Sequence, residues 1–296
     1  SLHDALPISG PDVLDKPWIC ADVSPTSPNQ GRLYLTWKVY LVGNFGYIVM
    51  AHSTDEGRSW TSPIGFFFED SWAPTVVTAP NGDVFWAWHN DAVCSPSIHH
   101  GEILMRRSTD GGQSFVSVTS PYPDGQAIVP SVSQICDPLP GVRVHTIGNR
   151  QPWILPDPQV PDRLSDVADH LSDVYIVHST DAGASWTSPQ RVDSGPGGTY
   201  QLFPNAGIDS QTGNIVVTWY DTRAGEVTGL GHYLFDTYAA VSTDGGLSFG
   251  ADFRVNDEPL NPDLGTFYTF NGEPVPEDVV GAVSFGNSDA WIMTLS

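Results

Sequence analysis

The chain has 296 residues, 40% of them apolar and 11% aromatic, enough to bury the core of one large domain or two small ones. Thirty-four acidic against twelve basic side chains leave a net charge of −22. That balance excludes a basic face for nucleic acid or anionic membrane, and it suits a secreted or surface protein. No apolar run approaches the roughly 18 residues of a membrane span. Cys20, Cys94 and Cys136 are widely spaced and odd in number, so no disulfide framework is expected.

In chain order, Ser1–Ile8 (SLHDALPI) looks like the in-frame translation of a sequencing-adapter oligonucleotide. Residues 1–9 are therefore set aside as a non-native lead-in, and residues 10–296 are read as one domain. From there a pattern recurs. PWICAD (17–22), GRLYLTW (31–37) and Gly46–Ser53 read as three strands ending in the turn STDEGRSW (53–60). APTVVTAP (73–80), GDVFWAW (82–88) and Glu102–Ser108 lead in the same way to STDGGQSF (108–115). The third unit ends in Asp173–Ser179 and STDAGASW (179–186), with Val129–Ile135 and Gly141–Ile147 as its first strands. PWILPDP (152–158) echoes PWICAD, so a shifted assignment stays open there. The fourth unit is FPNAGID (203–209), GNIVVTW (213–219), Tyr233–Ser242 and STDGGLSF (242–249). A fifth begins with Val279–Phe285 and Ala290–Leu295.

Four copies of S-T-D-x-G-x-S-[WF], starting 55, 71 and 63 residues apart, are an internal repeat. Its chemistry is that of a tight hairpin turn. Ser53, Ser108, Ser179 and Ser242 open it, and Asp55, Asp110, Asp181 and Asp244 can accept backbone N–H bonds within it. Gly57, Gly112, Gly183 and Gly246 can take positive φ. Trp60, Phe115, Trp186 and Phe249 can fold back over the hairpin. Three strands, the turn and a fourth strand make one four-stranded propeller blade. The blades are expected at 17–70, 72–123, 127–193 and 200–256, with the next starting at 276–296.

This pattern resembles the Asp-box (BNR) repeat of the sialidase superfamily over almost the whole chain. The resemblance implies an all-β, six-bladed type of propeller, incomplete here at about four and a half blades. A closed ring at this repeat length would need about 380 residues, and the chain is expected to be a fragment truncated at both ends. It further implies a secreted exo-α-sialidase, or else a non-catalytic propeller that binds glycan or protein through its funnel. The expected partner is a glycan or glycoconjugate, with extracellular or cell-surface placement and no membrane insertion.

In an up-and-down blade, turns 1–2 and 3–4 share one face, and connections 2–3 and 4–1 share the other. The repeat turn joins strands 3 and 4. The site is therefore expected on the opposite face, in loops 38–46, 89–101, 148–172 and 220–232 together with 66–72, 121–127, 194–202 and 256–278. The family uses a tyrosine nucleophile assisted by glutamate, because sialic acid's own carboxylate repels an anionic nucleophile. An aspartic acid protonates the leaving oxygen, and three arginines clamp the carboxylate. Tyr220, Asp221, Glu226 and Asp91 are the catalytic candidates on that face, and Arg150, Arg163, Arg223 and His89 the substrate-binding ones. Tyr220 and Asp221 also read as a strand end and its turn, with Arg223 as ion-pair partner. The family's Arg-Ile-Pro tripeptide has no counterpart here. The corresponding stretch reads DKPWI, with Lys16 as its cation.

No cofactor is expected. Asp157, Asp162, Asp166 and Asp169 could hold Ca²⁺ but lack EF-hand spacing and its glycine, and read better as a solvated acidic loop. Adjacent His99 and His100 in a strand-like segment would point oppositely, which disfavours a metal there. Arg106 and Arg107 precede a repeat turn and read as outward strand positions.

Overall fold

The computed structural model describes residues 13–40, 46–66, 71–91, 101–118, 152–160, 162–170, 173–264, 269–270 and 273–274. They form four four-stranded antiparallel sheets, each a simple meander. Blade 1 is β1 (Val13–Ala21), β2 (Leu33–Tyr40), β3 (Gly46–Ser53) and β4 (Ile64–Phe66). Blade 2 is β5 (Ser71–Thr78), β6 (Val84–Asp91), β7 (Gly101–Ser108) and β8 (Val116–Ser117). Blade 3 is β9 (Trp153–Pro156), β10 (Leu164–His170), β11 (Asp173–Ser179) and β12 (Gln190–Arg191). Blade 4 is β13 (Gln201–Ile208), β14 (Ile215–Asp221), β15 (Asp236–Ser242) and β16 (Phe253–Arg254). A short hairpin, β17 (Thr269–Phe270) with β18 (Glu273–Pro274), follows. The architecture is an incomplete, sialidase-like β-propeller; the strands expected beyond residue 276 lie outside the described residues.

One register recurs in all four blades. The first residue of the second strand pairs with the serine that opens the turn: Leu33 with Ser53, Val84 with Ser108, Leu164 with Ser179 and Ile215 with Ser242. Alternation then sorts each strand into two faces, and the blades stack face to face in chain order. Tyr34, Ile48 and Met50 of blade 1 pack on Val76, Val84, Trp86 and Trp88 of blade 2. Phe85, Ala87, Ile103 and Met105 meet Ile154, Leu164, Ala168 and Val177 of blade 3. Leu155, Val167, Val174 and Ile176 meet Ile215, Val217, Trp219 and Ala240 of blade 4. Each buried indole contributes about 4–6 kcal/mol of gross apolar burial, at roughly 25 cal/mol per Å² over about 150–250 Å².

The turns are built alike. Ser53 Oγ donates to Asp55 Oδ1 at 2.8 Å and accepts from Gly57 N at 2.9 Å. Asp55 in turn accepts from Ser59 N at 2.8 Å and Ser59 Oγ at 2.6 Å. The other three turns repeat every one of these bonds. Bonds from the second serine hold Asp55 and Asp244 down at about 2, and lower Asp110 and Asp181 likewise. The turn glycines have φ between +82° and +90°. From blade 2 onward each also presses on the preceding blade. A Cβ at Gly112 would meet Tyr34 at 2.9 Å, one at Gly183 Met105 at 2.6 Å, and one at Gly246 His178 at 2.6 Å.

The third blade differs from expectation. It runs from Trp153 to Arg191, so the proline echo at 152–158 marks its first strand, and Val129–Ile135 and Gly141–Ile147 lie outside the described residues. The segment 157–163 thereby becomes a 1–2 turn on the side of the repeat turns. There Arg163 pairs with Asp157, and its guanidinium lies 2.7 Å from where a Cβ at Gly245 would sit. Asp157 also accepts from Gln159 N and Val160 N, while Asp166 is fully buried within β10. Asp157 and Asp166 are thus not parts of a solvated loop, whereas Asp162 is exposed in the turn. Among the described residues no group of three or more His, Cys, Asp or Glu could hold a metal ion. Arg107 is not outward-facing, since it pairs with Asp83 at 2.5 Å and reaches Asp162 at 3.7 Å.

Candidate functional site

The face opposite the repeat turns is reached by the far ends of the second strands. Those strands start on an apolar residue, at Leu33, Val84, Leu164 and Ile215, and in blades 2 to 4 they close on polar residue types, whereas β2 closes on Val39 and Tyr40. Lys38 follows Trp37; His89, Asn90 and Asp91 follow Trp88; Asp169 and His170 follow Ala168; Tyr220 and Asp221 follow Trp219. Register places His89 opposite Trp72 and Asn90 opposite Ser71 at the end of β6. Four blades therefore bring chemistry-bearing residue types to one end of the molecule.

The first strands open on the same side, and three of them are bulged there. Register shifts fall between Asp15 and Trp18, between Trp72 and Thr75, and between Leu202 and Asn205. At each shift one non-glycine residue takes positive φ immediately before a proline: Lys16 at 53°, Ala73 at 45° and Phe203 at 53°. Left-handed backbone costs such residues about 1–2 kcal/mol. Bulges re-aim side chains and gather near functional sites.

Blade 4 shows the face in most detail. Asp221 is completely buried, and its carboxylate is saturated. Oδ2 accepts from Trp219 Nε1 at 2.9 Å and from Arg223 Nε at 2.8 Å, and Oδ1 from Arg223 N at 2.7 Å and Gln201 Nε2 at 3.1 Å. Arg223 reaches Asp252 at 2.9 Å and lies 4.0 Å from the centroid of the Tyr238 ring. Burial alone would lower its pKa; the bonds to Asp221 and Asp252 outweigh that and raise it. Asp252 holds Ser194 N at 2.9 Å, in the connection from blade 3. The assembly ties blade 4 to the connection that enters it from blade 3.

Beside it, Tyr220 is 3% exposed. Its ring packs edge-on against Phe203 and Phe235, each 6.3 Å away. The cluster continues through Leu202, Tyr200, Tyr233 and Leu260. The 2–3 connection forms a small hairpin bridged at Val227 and Tyr233, with Glu226 exposed at its base. Glu226 O accepts from Leu234 N at 2.9 Å, and His232 Nδ1 contacts Asp263 at 2.7 Å.

The structure brings some of the expected site residues together and separates others. Tyr220, Asp221, Arg223 and Glu226 share the predicted face. Arg163 lies on the other one, because the third blade is shifted, so it cannot join Arg223 in a clamp. Arg150 lies outside the described residues, as do the side chains of His89 and Asp91. Asp221, read as a catalytic candidate, is buried and anchors an ion-pair network with Arg223, the pairing that the turn reading of Tyr220-Asp221 expected. Sequence reasoning passed over Ser194, the first residue of a loop it assigned to this face, and Asp252, which nothing local marks. It also passed over Tyr200, His232 and Asp263, although they fall in the loops it assigned to this face, and over Tyr233, which it read as the start of a strand.

No protein-family profile and no curated protein matches the sequence. Solved structures do share its fold. The α-L-arabinanase of Penicillium chrysogenum complexed with arabinobiose aligns with a TM-score of 0.56 at 14% identity, over 82% of this chain and 66% of that one. A Hadza microbial sialidase aligns at 0.52 and 14%, over 84% and 46%. The NanB sialidase of Streptococcus pneumoniae aligns at 0.51 and 10%, over 86% and 54%. The chain thus spans less than two thirds of each of these proteins, and the likeness is one of fold: this is a β-propeller of the kind found in sialidases and arabinan-degrading enzymes.

Proposed function

We propose that the protein is an Asp-box propeller that binds a glycan or glycoconjugate, outside the cell or on its surface, through the face opposite its repeat turns. The observation that carries this reading is the run of polar residue types that closes the second strands of blades 2 to 4 away from the repeat turns: His89-Asn90-Asp91, Asp169-His170 and Tyr220-Asp221. Fold neighbours named as sialidases and arabinanases agree with it. Glycan-array binding tests it: no carbohydrate retained above background would refute it.

Hydrolysis as an exo-α-sialidase is the second reading, favoured by Tyr220 and Glu226 flanking the same strand end. Against it stand the burial of Tyr220 and the commitment of Arg223 to two aspartates. Fluorogenic α-sialoside and α-L-arabinofuranoside, assayed with the protein and its Tyr220→Phe variant, separate the two. Turnover of the sialoside that Tyr220→Phe abolishes would establish the hydrolase.

A further inference from the structure

The aromatic cluster at the end of blade 4 is distinct from the three cores that join the blades. Its outermost members, Tyr200 and Tyr233, meet edge to face, with centroids 5.9 Å apart and planes at 67°. Both are partly exposed. An edge-to-face pair leaves ring face uncovered, and two rings so inclined form a notch. Leu202, Tyr220 and Phe235 of the same cluster are buried, and Phe203 and Leu260 are partly buried with the two tyrosines.

The notch is held from several sides. Phe203 takes its left-handed bulge before Pro204. Tyr200 N donates to Thr222 Oγ1 at 2.8 Å, and Tyr200 O accepts from Thr222 N at 3.0 Å. Thr228 N donates to His232 O at 2.7 Å, and Phe235 pairs with Leu260 in both directions at 3.0 and 2.7 Å. His232 is latched to Asp263. A loop fixed in this way pays little ordering cost on binding. At its tip Val227 and Leu230 stand 53% and 69% exposed, which blade packing does not require.

Charge restricts the occupant. The hairpin and the segment that pairs with its base carry Glu226, Asp257, Glu258 and Asp263, and the cations close by in sequence, Arg223 and Arg254, are both paired with aspartates. Anionic ligands are repelled there. A neutral sugar ring offers an apolar C–H face for the tyrosine rings, and its hydroxyls suit an acidic segment better than an anionic group does. We infer that Tyr200 and Tyr233 form a subsite for an uncharged sugar unit of the glycan, with His232 and Asp263 as positioning residues. The inference rests on the glycan-binding reading above.

Titration with lactose, arabinobiose and 3′-sialyllactose, followed by calorimetry, tests it on the intact chain. Tyr200→Leu and Tyr233→Leu keep apolar bulk and remove the ring face. Each should weaken the probe that binds best by about tenfold, a change of about 1.4 kcal/mol. Tyr233→Phe should stay within about threefold, and urea midpoints report whether the fold is kept. Glycan binding that both leucine variants leave unchanged would overturn the subsite while sparing the broader reading. Failure of every probe on wild type, together with an empty glycan array, would remove both. Binding of 3′-sialyllactose alone, with no lactose affinity, would overturn the assignment to a neutral sugar.

Discussion

Gly57 and Gly246 occupy the same position in two copies of one turn, with φ of 82° and 90°. Alanine at either must adopt left-handed backbone, at about 1–2 kcal/mol. Their surroundings differ. A Cβ at Gly57 meets Leu33 at 3.5 Å and Trp60 at 3.8 Å, ordinary contact within its own blade. One at Gly246 meets His178 Cε1 at 2.6 Å, Ile176 at 3.1 Å and Ile215 at 3.2 Å. His178 cannot swing aside freely, since it bonds Ser165 Oγ and Gly246 O at 2.9 Å each. Overpacking of this sort costs about 1–3 kcal/mol. Gly57→Ala should therefore lose about 1–2 kcal/mol and Gly246→Ala about 2–5 kcal/mol. Urea unfolding reads the difference as a shift in midpoint at constant slope. A His178→Ala, Gly246→Ala double variant should show a favourable coupling of about 1 kcal/mol. Equal losses at the two glycines would refute the claim that each turn is pressed onto the preceding blade.

Arg223→Ala should cost about 3–5 kcal/mol, because it strands two buried aspartates; an unchanged melt would show that the network does not stabilise blade 4. Asp166→Leu puts an apolar side chain where blades 1, 2 and 4 have Leu35, Trp86 and Val217, and should stabilise by about 1–3 kcal/mol, the order of the cost of a buried polar group. Burial raises the Asp166 pKa. Its contribution is thus most favourable below the ordinary carboxylate range and is lost as pH rises towards its folded value, a slope that Asp166→Asn should flatten. The turn aspartates act with opposite sign: with Asp55 and Asp244 near 2, their contribution is present above the ordinary range and is lost as pH falls towards 2. Acid titration of Asp55→Asn, Asp244→Asn and wild type by circular dichroism should show the double variant losing less stability between pH 4 and 2, an order-of-magnitude window taken from ordinary carboxylate values.

The turns, the third strands and the tryptophan-bearing second strands were legible because hydrophobic alternation and turn chemistry are local. Blade 3 was not, and the reason is chemical. Its second strand reads LSDVADH, with a buried aspartate at a core position and no tryptophan, so its alternation looks like a polar loop. The inner-strand bulges were invisible too, since a residue before proline is ordinarily expected in extended backbone. Asp221 and Arg223 were found by sequence, but their roles depend on Asp252 and Ser194, 29 residues from Arg223 on either side.

The contact between each turn glycine and the blade before it makes the repeats unequal partners. Every blade after the first presents a turn shaped to its predecessor, through Tyr34 and His52, Met105, or Ile176 and His178. Blades that look interchangeable in sequence are therefore specific to their neighbours, like keys cut in series. Transposing two of them would preserve every hairpin and still leave mismatched seams, so such a lineage would have to diversify its copies in adjacent pairs.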